Sequence, residues 1–207
     1  MRFVTLGPEG SCHENAVRKY LEHHGVAATL MFVDDPLEGL ELVKSRGADF
    51  LVQCSAHLNV HLVTERHFRE VVVTDTFLYP TRDIVLLERI GVESPQTLGS
   101  VRAADGYLEG ITYPKVVYET TKPIVGRNLV AGAYDAGLTT MEFHDAHPGR
   151  FRIRRRIGRV LTTWIVFGRM TVFEGDVLGV ARPGFYQDLL HAGLDYSANE
   201  SVLQGRT

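Results

Sequence analysis

The chain has 207 residues, 44% of them hydrophobic, with a formal net charge of -3 and an isoelectric point near 6.3. That is enough apolar material for one large domain or two small lobes with real cores, and the charge balance excludes any general attraction for nucleic acid or anionic lipid. Two cysteines make no disulfide framework, no run approaches the ~20 apolar residues of a membrane span, and no leader is read before Leu6, so the expectation is a cytoplasmic protein with neither membrane nor nucleic-acid partner.

The apolar run RFVTL (2–6) predicts a buried strand, punctuated by GPEG (7–10). Ser11 and Glu14 form the S-x-x-E pattern of a capping box, which predicts a helix from Cys12 to about His24 with Ala16, Val17, Tyr20 and Leu21 inward. Residues 28–33 (ATLMFV) read as the next strand. Asp34 or Asp35 then caps a helix that begins at Pro36, where proline suits a first turn. A third strand spans 49–54 (DFLVQC), and this alternation predicts a parallel sheet flanked by helices.

From His57 the texture changes. Two apolar runs, 69–79 and 82–89, are separated only by a turn and read as strands that cross into a second lobe. Residues 94–108 read as a helix, 114–119 as a strand, 120–132 as a helix interrupted at Gly126, and 133–140 as a strand. The basic block RFRIRRRIGR (150–159) alternates apolar and charged residues, which suits a strand with one wet face better than a binding tail. With LTTWIVFG (161–168) it is expected to form an antiparallel pair returning to the first lobe. The tail from Arg182, with the amphipathic stretch FYQDLLHAGL, is expected to be poorly ordered or to pack on a second subunit.

Three of these strands stop at small polar groups: Leu6 leads to Gly10 and Ser11, Val52 to Gln53, Cys54 and Ser55, and Val117 to Thr120 and Thr121. In open α/β sheets ligands sit beyond the carboxyl ends of strands, where helix N-termini present free N–H groups and favour carboxylates. Ser11, Thr120 and Thr121 also suit simple helix caps. The glycines match neither a phosphate loop nor a dinucleotide turn.

The motif TLGPEGSCHENAV (5–17) resembles the opening of prephenate dehydratases, a strand followed by G-P-E/K-G-T/S and a helix. SPQTL (94–98) is similar to that family's H-P-Q-A-L, ETTKPIV (119–125) to its S-T-A-E-A-A helix start, AYDAGLTT (133–140) to its A-A-I-A-S strand, and LTTWIVFG to its T-R-F-x-V-x-G. The resemblance covers roughly residues 2–168 and implies a two-lobed α/β fold like type II periplasmic binding proteins, mainly parallel, with lobes at approximately 1–78 plus 158–180 and 79–157. It further implies substrate in the cleft, a homodimer, no cofactor, no metal, and chemistry on prephenate. No regulatory ACT domain is expected. In the family's T-R-F the threonine assists departure of the hydroxyl; here Thr162, Thr163 and Trp164 occupy the triplet, so the hydroxyl survives and the guanidinium is lost. The family's E-N-S is replaced around Gln53, Cys54, Ser55, Ala56 and His57.

These departures fall in the pocket. They point to a cofactor-independent lyase of a biosynthetic side pathway, decarboxylating or dehydrating prephenate or a related ring carboxylate, with a catalytically silent carboxylate binder as the alternative. The expected site is Thr162, Cys54 and His57 as catalytic groups and Gly10, Ser11, Gln53, Ser55, Thr120, Thr121 and Thr163 as substrate contacts. Cys12, in the first turn of a helix, and Cys54 keep a thiol-dependent reading open beside that of small buried apolar residues. His57 and His61 are the one i, i+4 histidine pair, without the carboxylates a metal site needs.

Overall fold

A computed structural model describes residues 1–175 and 177–180; the amphipathic stretch FYQDLLHAGL and the rest of the expected tail lie outside them. Every element below belongs to one compact unit, Met1–Val172.

Strand β1 (Arg2–Leu6) leads to helix α1 (Cys12–His23), followed by β2 (Thr29–Val33), α2 (Pro36–Lys44) and β3 (Phe50–Cys54). The local signals act as expected. Ser11 Oγ accepts from Glu14 N at 3.1 Å, and the Glu14 carboxylate reaches back to Gly10 N at 2.6 Å, a capping box displaced by one residue. Asp35 caps α2 by accepting from Leu37 N at 2.7 Å, with Pro36 in the first turn. Helix α3 (Val60–His67) follows where no helix is expected; only Val60 and Val63 of it are buried. Strand β4 (Val72–Pro80) then completes the outward path.

Beyond β4 the chain crosses to β5 (Ile84–Arg89), β6 (Thr97–Ser100), a 3-10 helix at Arg102–Leu108, β7 (Lys115–Tyr118), α4 (Lys122–Ala131), β8 (Ala136–Thr140), α5 (Met141–Asp145) and β9 (Phe151–Gly158). It returns in β10 (Leu161–Gly168). Two five-stranded sheets result, ordered β2-β1-β3-β10-β4 and β7-β6-β8-β5-β9. In each, four strands run in one direction, and the strand delivered by a crossing runs antiparallel between its neighbours: β10 between β3 and β4, β5 between β8 and β9.

Three expectations need correction. Residues 97–100 are a strand, not part of a helix: Thr97–Ser100 pairs in parallel with both β7 and β8, and Gly99 leaves room for the Tyr134 ring, whose nearest atom would lie 2.3 Å from an added Cβ. Helix α4 runs unbroken through Gly126, because there the missing side chain seats the Phe143 ring of α5. Strands β9 and β10 do not pair with each other; β9 is an edge strand of the second sheet and β10 an inner strand of the first. The arginines of β9 are consistent with a wet edge: Arg152 pairs with Glu88 at 2.8 Å and Arg156 with Asp83 at 2.5 Å.

The second sheet has a single core cluster, built from residues such as Leu86, Leu98, Leu129 and Leu138. The first carries one cluster on each face, with Leu40, Leu51 and Phe167 under α2 and α3, and Val17, Val52 and Trp164 under α1. Among the described residues no helix is long and apolar enough to cross a membrane.

Candidate functional site

Among the described residues only two segments of chain join the sheets, and they hold each other. Thr81 N donates to Val160 O at 2.8 Å, and Val160 N donates to Thr81 Oγ1 at 3.0 Å. Thr81, Val160 and Leu161 also line a cavity of about 450 Å³, so the crossings form part of its wall. Thr162 and Trp164 of the antiparallel β10 continue that wall, and most of the remainder comes from the carboxyl ends of parallel strands and the helices that follow them, where open sheets place ligands. Leu6 with Ser11, Cys12 and His13 comes from β1 and α1; Cys54 with Ala56, His57 and Leu58 follows β3; Val101 and Arg102 follow β6; Tyr118 to Pro123 links β7 to α4.

The N-termini of α1 and α4 therefore open on one space from opposite sheets, and each brings unsatisfied N–H groups and the positive end of a helix dipole. Their cap residues differ. Ser11 is 2% exposed and its hydroxyl is engaged, accepting from Glu14 N and donating to Leu6 O at 3.3 Å. Thr121 is 8% exposed, makes no side-chain cap bond, and leaves Oγ1 buried without a partner. A buried hydroxyl in that state costs free energy until something reaches it. It lines the cavity, as does exposed Thr120 beside it.

Of the expected catalytic residues, Cys54 and Thr162 are in contact across the sheet, Sγ to Oγ1 at 3.5 Å. Trp164, paired directly opposite Cys54, forms the wall behind them, with its indole N–H donating to Tyr79 O at 2.9 Å. His57 also lines the cavity, and its Nδ1 accepts from Asn59 N at 3.4 Å, which leaves Nε2 to carry the proton of the neutral ring. Burial holds His57 below its ordinary value, against an opposing pull from Asp35.

Four expected contacts do not reach the cavity. Gln53 is fully buried on the opposite face of β3 from Cys54, level with Ile165, because successive strand residues alternate. The same alternation turns Thr163 away while Thr162 and Trp164 face inward. The Gly10 amide is taken by the Glu14 carboxylate, and Ser55 is exposed with its amide donating to Thr163 O at 3.0 Å.

Three lining residues stand outside the expected site. His13 stands edge-on to Trp164, ring centroids 5.0 Å apart, with Nε2 buried and unpartnered. Burial, then the nearby His57 and Lys122, push its pKa down to about 3, so it is a neutral imidazole at physiological pH. Lys122, first residue of α4, lines the cavity and is absent from the ion pairs among the described residues. Burial lowers its pKa, with Cys12 and Cys54 acting in the opposite direction. Arg102 adds a cation, its guanidinium 4.2 Å from the centre of the Tyr118 ring. Among the described residues no group of three or more His, Cys, Asp or Glu side chains could hold a metal ion.

No family model matches the sequence, and no curated protein does. Solved structures do. A prephenate dehydratase from Arthrobacter aurescens, in complex with L-Phe, superposes with a TM-score of 0.59 at 18% identity, over 92% of this chain and 71% of that one. A prephenate dehydratase from Staphylococcus aureus gives 0.55 at 16% identity, over 94% and 80%. An ABC transporter protein from Parabacteroides distasonis gives 0.56 at 15% identity, over 97% and 72%. At such identities the likeness is one of fold: the chain has the two-lobed, type II periplasmic-binding-protein-like architecture that these proteins share.

Proposed function

We propose that the cleft takes prephenate or a related cyclic carboxylate and acts as a cofactor-independent lyase, removing CO2 with or without the ring hydroxyl, in a biosynthetic side pathway such as antibiotic biosynthesis. The observation that carries this reading is the convergence of two helix N-termini, the unpartnered Thr121 hydroxyl and the cationic side chain of Arg102 on one cavity. Those groups suit a carboxylate.

The rest of the wall suits the remainder of such a substrate. Trp164, Val101, Leu161 and Tyr107 offer apolar surface to a ring, and the neutral His13 adds a polar edge without a competing charge. Desolvation against that wall raises the energy of a localised carboxylate more than that of a transition state in which the charge has moved into the ring, which favours CO2 loss. Departure of a ring hydroxyl also requires a proton. Thr162 Oγ1 is the donor in this reading, with the Cys54 Sγ beside it as the second member of a short relay. Retention of the hydroxyl would mean that the electron pair left by CO2 is instead protonated on ring carbon.

The experiment is a titration of the purified protein with prephenate, following released CO2 and the near-ultraviolet absorbance of phenylpyruvate in base. CO2 with that absorbance identifies the aromatising lyase, and CO2 without it the decarboxylase. Saturable binding without CO2 leaves a carboxylate-binding protein, a reading favoured by the loss of the T-R-F guanidinium at Thr163. The Cys54 to Thr162 contact supports a thiol-dependent reading as well, and it separates by mutation: Cys54→Ser then abolishes activity while Thr162→Ala leaves it nearly intact.

A further inference from the structure

We propose that Lys122 is a carbonyl-capturing amine, forming an imine between its Nζ and the keto carbon of an α-keto acid held in the cleft. The inference goes beyond the lyase reading, since capture needs only an α-keto acid site and stands even if the cleft releases no CO2.

The placement of the amine carries the argument. Lysines normally keep their charge in water or against a carboxylate. Lys19 does so with Glu22 at 2.6 Å, Lys44 with Glu41 at 2.9 Å and Glu70 at 3.3 Å, and Lys115 lies exposed on β7. Lys122 instead lines a cavity walled by Val101, Leu161 and Trp164, near enough to Cys12, Cys54 and His13 for their electrostatics to couple, with no carboxylate pairing among the described ion pairs. Such surroundings disfavour the ammonium and raise the fraction of nucleophilic free amine.

The residue before it supplies the substrate class. Thr121 and Lys122 are consecutive, both line the cavity, and the Thr121 hydroxyl is buried without a partner at the positive end of α4. A carboxylate held at Thr121 would carry the carbonyl bonded to it into the same cavity that the next side chain, Lys122, also lines. Adjacent carboxylate and carbonyl define an α-keto acid, and the apolar wall selects one with a ring or alkyl substituent; prephenate itself bears such a group.

The step balances without a further reagent. The Nζ lone pair forms a bond to the keto carbon while the carbonyl π pair moves to oxygen. The amine loses a proton and the oxygen gains one, giving a carbinolamine. A wall group then protonates the carbinolamine hydroxyl, the nitrogen lone pair forms the C=N bond as that oxygen leaves as water, and the iminium N–H proton returns to the wall group, so that amine plus ketone yields imine plus water. Tyr107 and Thr162 line the same wall as proton-bearing groups; burial keeps the Tyr107 phenol protonated, with Cys54 and Cys12 acting in the same direction.

The test incubates the purified full chain with phenylpyruvate and, separately, pyruvate, in the presence of sodium cyanoborohydride, and reads intact mass and a peptide map. The expected result is one saturable secondary-amine adduct at Lys122, formed at least about tenfold faster than at Lys19, Lys44 or Lys115. No adduct, or labelling spread evenly over the four lysines, overturns the proposal. Lys122→Arg is expected to lose the adduct and keep the melting temperature; if that variant does not fold, the peptide map of the unaltered chain decides alone. Prephenate turnover measured in parallel without reductant separates the two readings. An adduct without turnover supports capture and removes the lyase, and turnover without an adduct removes capture and leaves the lyase.

Discussion

Ser11 and Thr121 occupy the same place, the residue before a helix that opens on the cleft, but only Ser11 is satisfied by its own helix. The difference gives Thr121 two opposed consequences. Thr121→Val removes a buried hydroxyl that lacks a partner, so the ligand-free protein is expected to gain on the order of 1 kcal/mol in urea unfolding. Carboxylate binding is expected to weaken in the same variant by about tenfold, measured by calorimetry with phenylpyruvate. A variant that lost stability would show that the hydroxyl already serves the fold. At Thr162 the expectation reverses: Thr162→Ala lowers prephenate turnover by ~100-fold, the lower end for a positioned proton donor, with a stability change below ~1 kcal/mol. Equal loss of both would remove its catalytic role.

His13 makes a prediction in pH. Its pKa is about 3 in the fold against 6.5 in the unfolded chain, so the unfolded state binds the proton first as pH falls. The contribution is fully present above pH 6.5 and is lost progressively between there and about 3. His13→Gln, which keeps a neutral polar edge beside Trp164, is expected to flatten the fall in stability from pH 6.5 downward relative to the unaltered protein. An unchanged slope in equilibrium unfolding would count against a neutral, buried His13.

At the scale of elements, legibility followed the range of the signal. Capping residues act within one turn, and those of α1 and α2 marked the helix starts correctly. Helix α3 was missed because two buried valines among histidines leave little periodicity. Strand β6 was misread because Gly99 has no side chain to declare a strand, and its reason for being glycine lies 35 positions on, at Tyr134. That ring is 3% exposed and its hydroxyl reaches Glu119 and the Val125 carbonyl, both at 3.3 Å, so it cannot easily move aside. Gly99→Ala is therefore expected to cost ~1–3 kcal/mol in denaturant unfolding; a loss under ~0.5 kcal/mol would show the ring to be free to move.

For the molecule as a whole, the two sheets differ in how the chain builds them. The second is one uninterrupted run with a core cluster drawn from that run alone. The first needs β10, which lies between β3 and β4 and buries Trp164, Val166 and Phe167. A fragment of residues 82–160 is expected to melt cooperatively, though at low stability for its size, whereas a chain ending before Leu161 should leave the first sheet unfolded. Circular dichroism melts of both fragments check this, and a featureless melt of the first would count against an independent core. Ligand at 100 times its Kd should add about 2.7 kcal/mol to the stability of the full chain.

The sequence by itself determined the starts of β1 and α1 at the cleft, the helix N-termini that favour an anion, and the survival of a hydroxyl at Thr162. Those properties follow from groups a few residues apart, which remain neighbours in any fold containing the element. The tertiary structure decided which of the polar residues face the cavity, since strand alternation and pairing turned Gln53 and Thr163 away while bringing Cys54 to Thr162 across 108 positions of chain. It decided the state of Lys122 and His13 too, because desolvation is a property of the walls around a group, and those walls come from both sheets.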